Sequence, residues 1–159
     1  MAPLIDHQFT HPQFSYSQTP NFQNAIKISV FFRKRAEISH DQFFTHWQTV
    51  HCDLVVATQA FRDNILRYVQ HHQTPEMMER ARSLGEGVLE YDACAQLWVR
   101  SWDDWLKFSG SEEYNNALGE DCQRFMQLPM TYMVGRENIV VGHGVPEIEG
   151  KDGFLQLGN

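Results

Sequence analysis

The chain has few cysteines, few basic residues and no long apolar run. Each shortage removes a class of protein. Cys52, Cys94 and Cys122 are an odd number at wide spacing, with neither a CxxC pair nor a Cys/His quartet. A disulfide framework and a structural zinc site are therefore not expected, and the thiols are read as reduced. Thirteen Lys plus Arg stand against twenty Asp plus Glu, a net charge of −7 at pH 7. Such a chain cannot hold phosphates by counterion release, and the short Arg33-Lys34-Arg35 cluster does not alter this, so nucleic acid is not an expected partner. No stretch approaches the ~20 apolar residues that a membrane helix needs, and the first residues lack a basic segment followed by an apolar one. No membrane partner is expected, and the expected location is cytoplasmic. Phosphate loops and serine elbows are missing too: Gly85-Glu86-Gly87 does not extend into GxGxxG, Gly142-His143-Gly144 leads into no helix, and GxSxG does not occur. No cofactor is expected.

What is present is a core-forming composition. The 159 residues are 42% apolar and 13% aromatic, enough for one self-supporting domain in the usual range of about 100–200 residues. The surplus residue is histidine: His7, His11, His40, His46, His51, His71, His72 and His143. Histidine titrates near neutrality and can donate, accept or ligate, so this surplus is where chemistry is sought.

Residues 1–24, with Pro3, Pro12 and Pro20 and no sustained period, read as a loosely ordered arm. Residues 25–142 form the domain and 143–159 a tail. Ala25 to Lys34 is a strand by its β-branched and aromatic content. Ser39, with Gln42 three residues on, opens a helix carrying Phe43, Phe44, Trp47, Val50, His51, Leu54 and Val55 at helical spacing, which runs with room for a break to about Arg62. Ile65–His72 is a second strand, Glu76–Leu84 a short helix, and Tyr91–Arg100 a third strand. A helical region from Ser101, interrupted at Ser109-Gly110-Ser111, is ended by Pro129, and Thr131–Val141 is the last strand. The order gives an α+β, ferredoxin-like βαββαβ fold with a four-stranded antiparallel sheet. One sheet face is left without helices, and apolar residues such as Cys94 and Trp98 on it predict a homodimer that closes two sheets into a dimeric α+β barrel.

Metal binding is disfavoured by spacing. His46 and His51 fall about 140° apart around a regular helix at 3.6 residues per turn, and His71 and His72 point to opposite faces of a strand. In the second strand the period of two puts Tyr68, Gln70 and His72 in one row, either a solvent-facing edge or the polar side of a lined pocket. His51 lies on the apolar helix face and is either a core histidine or one half of an acid/base pair with His72, depending on whether both point into one cavity. Asp92, opening the third strand, is placed to orient a histidine or cap a turn.

The run Ser39-x-x-x-Phe43-x-x-x-Trp47-x-x-x-His51, then Leu54-Val55, Tyr68-x-Gln70-x-His72, and Asp92 ahead of Leu97-Trp98-Val99 resembles the EthD domain of the dimeric α+β barrel superfamily. The likeness spans about Ile26 to Val141. It is greatest to the small fungal EthD-type decarboxylases and dehydratases of aromatic polyketide pathways. Where that family often has Asp-Gly this chain has Asp92-Ala93, and where it has Asp-Glu-x-x-Phe this chain has Asp121-Cys122-Gln123-Arg124-Phe125, a departure expected to concern the dimer or a pocket wall.

The resemblance implies that His51, Tyr68, Gln70, His72 and Asp92 surround a pocket between sheet and helices. It also implies a cofactor-free lyase that removes carbon dioxide from a β-keto acid of the atrochrysone carboxylic acid type, or water from a β-hydroxy ketone. On this reading His72, assisted by Tyr68, donates to the ketone oxygen, and His51 is the general acid/base. Gln70 holds a phenol or carbonyl and Asp92 orients a histidine. Trp47, Phe44 and Phe31 are ring-stacking walls, with Ser29 as a further substrate contact. Histidines 7, 11, 40 and 143 are read as incidental, and His46 and His71 as pointing away from the pocket. The rival readings are a cofactor-independent oxygenase or cyclase on the same fold, and a non-catalytic barrel that binds an aromatic ligand or partner.

Overall fold

Alternation of β-branched and aromatic residues makes Ile26–Lys34 the strand β1. The computed structural model describes residues 4–145 and 152–153; residues 1–3 of the expected arm, and 146–151 and 154–159 of the expected tail, lie outside the described residues. After β1, Ser39 starts helix α1 (His40–His46) through a complete capping box, its hydroxyl accepting from Gln42 N and its own N–H donating to the Gln42 side chain. The helix then widens into a π-helical turn over Trp47–His51 and returns to α geometry in α2 (Cys52–Ala57). Thr58, in extended conformation, breaks it and caps α3 (Gln59–Asn64) by accepting from Phe61 N.

Strand β2 (Arg67–His72) follows, then α4 (Pro75–Arg82), capped by Thr74 with a proline at its first position. Strand β3 (Ala93–Val99), α5 (Trp102–Ser109), α6 (Glu112–Phe125) and β4 (Met126–Gly135) complete the domain. The last strand differs from expectation, for it begins five residues before Thr131 and contains Pro129. An edge strand tolerates this, because its outer side needs no ladder hydrogen bonds, and the pairing of β4 with β1 is itself shifted between Phe31 and Arg33.

The sheet order is β2-β3-β1-β4 with every neighbouring pair antiparallel, which is the ferredoxin-like α+β arrangement. Helices cover one face. There Ile28, Val30, Leu97 and Val99 pack with Val55, Phe108 and Leu118, while Phe32, Phe43, Trp47 and Phe125 form an aromatic cluster at the β4-start end.

The register corrects two expected site residues. Ile28, Val30 and Phe32 face the helices, so Ser29 and Phe31, one residue out of phase, point to the opposite face, where their partners are Gln96 and Cys94. Neither reaches the helix side of the sheet. The apolar residues from which the dimer was inferred are also largely covered within the chain. Trp98 is buried beside Ala25 and Val145, its indole N–H donates to Glu137, and Lys27 and Arg67 lie over its ring. Cys94 is buried as well.

Candidate active site

The π-helical turn decides which side chains meet. A π turn repeats at i to i+5, so His46 and His51, which a regular helix would set on different faces, both reach one carboxylate. Asp121 of α6, 2% exposed at its side chain, accepts from His46 Nε2 at 2.7 Å through one oxygen and from His51 Nδ1 at 2.9 Å through the other. The ring of Phe125, one turn further along α6, packs on both imidazoles, with centroids 4.9 and 5.0 Å away. The expectation that His46 points away is therefore corrected. With Nδ1–H committed to Asp121, the neutral His51 ring carries its lone pair on Nε2, and this nitrogen has no hydrogen-bond partner among the described residues.

His51 lines a cavity of about 230 Å³ between the helices and the sheet. Its walls are apolar and aromatic, among them Val30, Leu97, Trp105 and Phe108, and exposed Asn115 and Tyr132 flank its mouth. Burial pulls the pKa of His51 below its ordinary value; Asp121 opposes this and the neighbouring His46 reinforces it. His51 thus rests as a neutral base. The polar groups facing it across the cavity are neutral too: burial raises the phenols of Tyr68 and Tyr114 and pushes the Cys122 thiol up to about 11.

Tyr68, on the helix-facing side of β2, is another polar residue that lines the cavity. Its oxygen accepts from Gln70 Nε2 at 3.2 Å, which leaves the phenolic O–H as a donor. Gln70 has no N–H left for a ligand, and only a second lone pair on its oxygen is unused. Its amide N–H groups also go to the Trp47 carbonyl at 2.9 Å and to Cys52 Sγ at 2.9 Å, and its oxygen accepts from His72 Nε2 at 3.1 Å. The strand row Tyr68, Gln70, His72 is thus both at a sheet edge and turned inward, which reconciles the two readings of its alternation.

His72 does not share the cavity with His51. Its ring is stacked between Trp47 and Phe44, at centroid distances of 4.7 and 4.9 Å, and fully buried Trp47 stands between it and the cavity. Burial, then the nearby His71, depresses its pKa. Phe44 accordingly covers His72 rather than the cavity. Asp92 is displaced as well. It accepts from Lys34 N at 2.8 Å and pairs with His40 Nε2 at 3.2 Å, so the histidine it orients is one read as incidental and lies outside the cavity. Among the described residues, no group of three or more His, Cys, Asp or Glu side chains is placed to hold a metal ion, and no helix is long and apolar enough to cross a membrane.

The EthD domain family matches residues 35–129, more than half of the chain. The chain belongs to the EthD family. The matched span of this EthD domain holds His46, His51, Tyr68 and Asp121 together. Among solved structures, a DABB family protein with a ferredoxin-like fold from Mesorhizobium loti is similar at 9% identity over 70% of this chain and 94% of that one, with a TM-score of 0.50. An EthD family protein from Bacillus halodurans is similar at 14% identity over 71% and 98%, TM-score 0.49. A hydroxynitrile lyase from Passiflora edulis is similar at 14% identity over 72% and 94%, TM-score 0.45. No curated protein matches the chain. The Mesorhizobium loti likeness bears on the fold of this EthD domain alone.

Proposed function

We propose that this EthD protein is a cofactor-free lyase acting on a polycyclic aromatic polyketide, as its likeness to the fungal EthD decarboxylases and dehydratases suggests. The observation that carries this reading is the Nε2 of His51, without a hydrogen-bond partner among the described residues and backed by Asp121, in a largely apolar cavity that Tyr68 also lines. A base and a neutral donor lining one largely apolar cavity are what enolate chemistry needs.

For a β-keto acid, His51 Nε2 takes the carboxyl proton and the bond to the carboxyl carbon breaks. Carbon dioxide leaves, and the electron pair moves onto the ketone oxygen as an enolate held by Tyr68 O–H. The His51 imidazolium then returns its proton to carbon. For a β-hydroxy ketone, His51 instead removes the proton beside the ketone, the enolate still bearing the β-hydroxyl forms, and the C–O bond breaks as hydroxide departs with that proton as water. Tyr68, inside the cavity, replaces His72 as the donor. His72, Gln70 and Trp47 hold Tyr68 in place from behind. The cavity is smaller than the ~300 Å³ at which pockets for drug-sized ligands begin, so a fused-ring substrate would bury its reacting ring and leave its far ring at the mouth beside Asn115 and Tyr132.

Incubation with aromatic β-keto acids and β-hydroxy ketones, followed by mass spectrometry for loss of carbon dioxide or water, tests the reading. Tyr68→Phe is expected to slow turnover about ten- to hundred-fold, the worth of one hydrogen bond to a charged oxygen, and full turnover in that variant would remove Tyr68 from the mechanism. Oxygen consumption in place of carbon dioxide or water release would indicate an oxygenase, and binding without turnover a ligand-holding barrel.

We further propose a homodimer through the helix-free sheet face and the β4 edge, where Met133 is 69% exposed. Sedimentation equilibrium should give the mass of two chains, and the mass of one chain at micromolar concentration would exclude it.

A further inference from the structure

Asp121 serves two imidazoles of unequal exposure. The His46 side chain is 24% exposed, whereas that of His51 is 7% exposed and lines the cavity. We propose that His46 is a positioning residue for the base: it fixes the Asp121 carboxylate and shares its charge, and so disfavours a proton on His51. This rests on the reading of His51 as the cavity's base.

The argument is one of charge at a single carboxylate. With both rings neutral, Asp121 accepts one N–H from each, at 2.7 and 2.9 Å, and its negative charge stabilises a proton on either. Once His46 has taken a proton, that charge is balanced. A second proton on His51 would then place two cations about one buried anion, in a site closed by the Phe125 ring. Because burial penalises charge, a cation beside Asp121 costs less on the more exposed His46 ring than on the buried His51 ring. The groups facing His51 offer no competing charge. From α6 these are Cys122 and Tyr114, from β2 Tyr68, and from β4 Tyr132, and none of these thiol or phenol groups is ionised near neutrality, because burial raises all four. Among the described residues, His46 is the other side chain hydrogen-bonded to the Asp121 carboxylate and so the group that shares its charge with His51.

The five-residue spacing argues that the contact is built. An α-helical path would leave His46 off this carboxylate, and the π turn begins immediately after it.

The test is an NMR titration of the His51 ring, which requires no substrate and so stands whether or not the lyase reading holds. In His46→Gln, which can still donate an N–H but cannot take a proton, the His51 midpoint should rise by about one pH unit, a tenfold gain in proton affinity, with the thermal melt little changed. In parallel, the acid limb of kcat/KM should move up by the same amount. His46→Asn serves if the glutamine variant folds poorly. The unsubstituted protein gives a third reading, a His51 curve with an inflection at the His46 midpoint. A His51 midpoint that stays in place in a folded variant, or two independent single-step curves in the unsubstituted protein, would overturn the proposal.

Discussion

Replacement of His51 by glutamine should cost about 10²–10⁴-fold in kcat/KM, the usual worth of a positioned general base. Glutamine keeps a polar side chain near Asp121 but offers no nitrogen that can take a proton. The pH profile gives the sign independently. In the folded chain, burial holds His51 below the ordinary histidine value of 6.5. A base works only when unprotonated, so the rate should rise with pH through an acid limb centred below 6.5 and be flat above it. That limb should vanish in the variant. A folded His51→Gln protein with full turnover and an intact limb would falsify the role and leave His51 as a packing residue.

The second large effect is on stability. Trp47→Ala should destabilise the fold by about 3–5 kcal/mol, the range for emptying a large aromatic site in a core. Trp47 has no solvent exposure and touches Phe32, Phe43 and His72 with ring centroids 5.2, 6.3 and 4.7 Å away. The substitution would also open His72 to water, relieving the burial that depresses its pKa. Urea denaturation measures the first effect and an NMR titration of His72 the second. A loss under about 1 kcal/mol, as for a typical surface change, would mean that the aromatic cluster closes over the gap.

Local rules placed most of the fold. The Ser39 capping box, the Thr74-Pro75 helix start and the alternation of Ala93 to Val99 each carry their structure within a few residues. Pro129 misled, because proline ends a helix in isolation, whereas here Met126 already turns extended and the edge position of β4 absorbs the missing N–H.

The site was legible in part. Alternation put Tyr68, Gln70 and His72 on one side of β2, but only tertiary packing shows Trp47 standing between His72 and the cavity. Ser29 and Phe31 could have been set aside from the parity of β1 alone. Asp121 lies seventy residues from His51, and its one signal was its place in the Asp-x-x-x-Phe element shared by likeness with the family. His46 was dismissed by a correct angle for the wrong helix. Periodicity arguments assume regular geometry, and nothing in Trp47-Gln48-Thr49-Val50-His51 announces a widened turn.

That widened turn limits how far the Trp-x-x-x-His signature can be used. Its meaning depends on a backbone irregularity that the letters do not encode. The same residues on a regular helix would deliver the two imidazoles to different neighbours, and the carboxylate could not join them. Possession of the signature in another chain is therefore a weaker guide to shared chemistry than possession of the helix defect together with an acid on the facing helix.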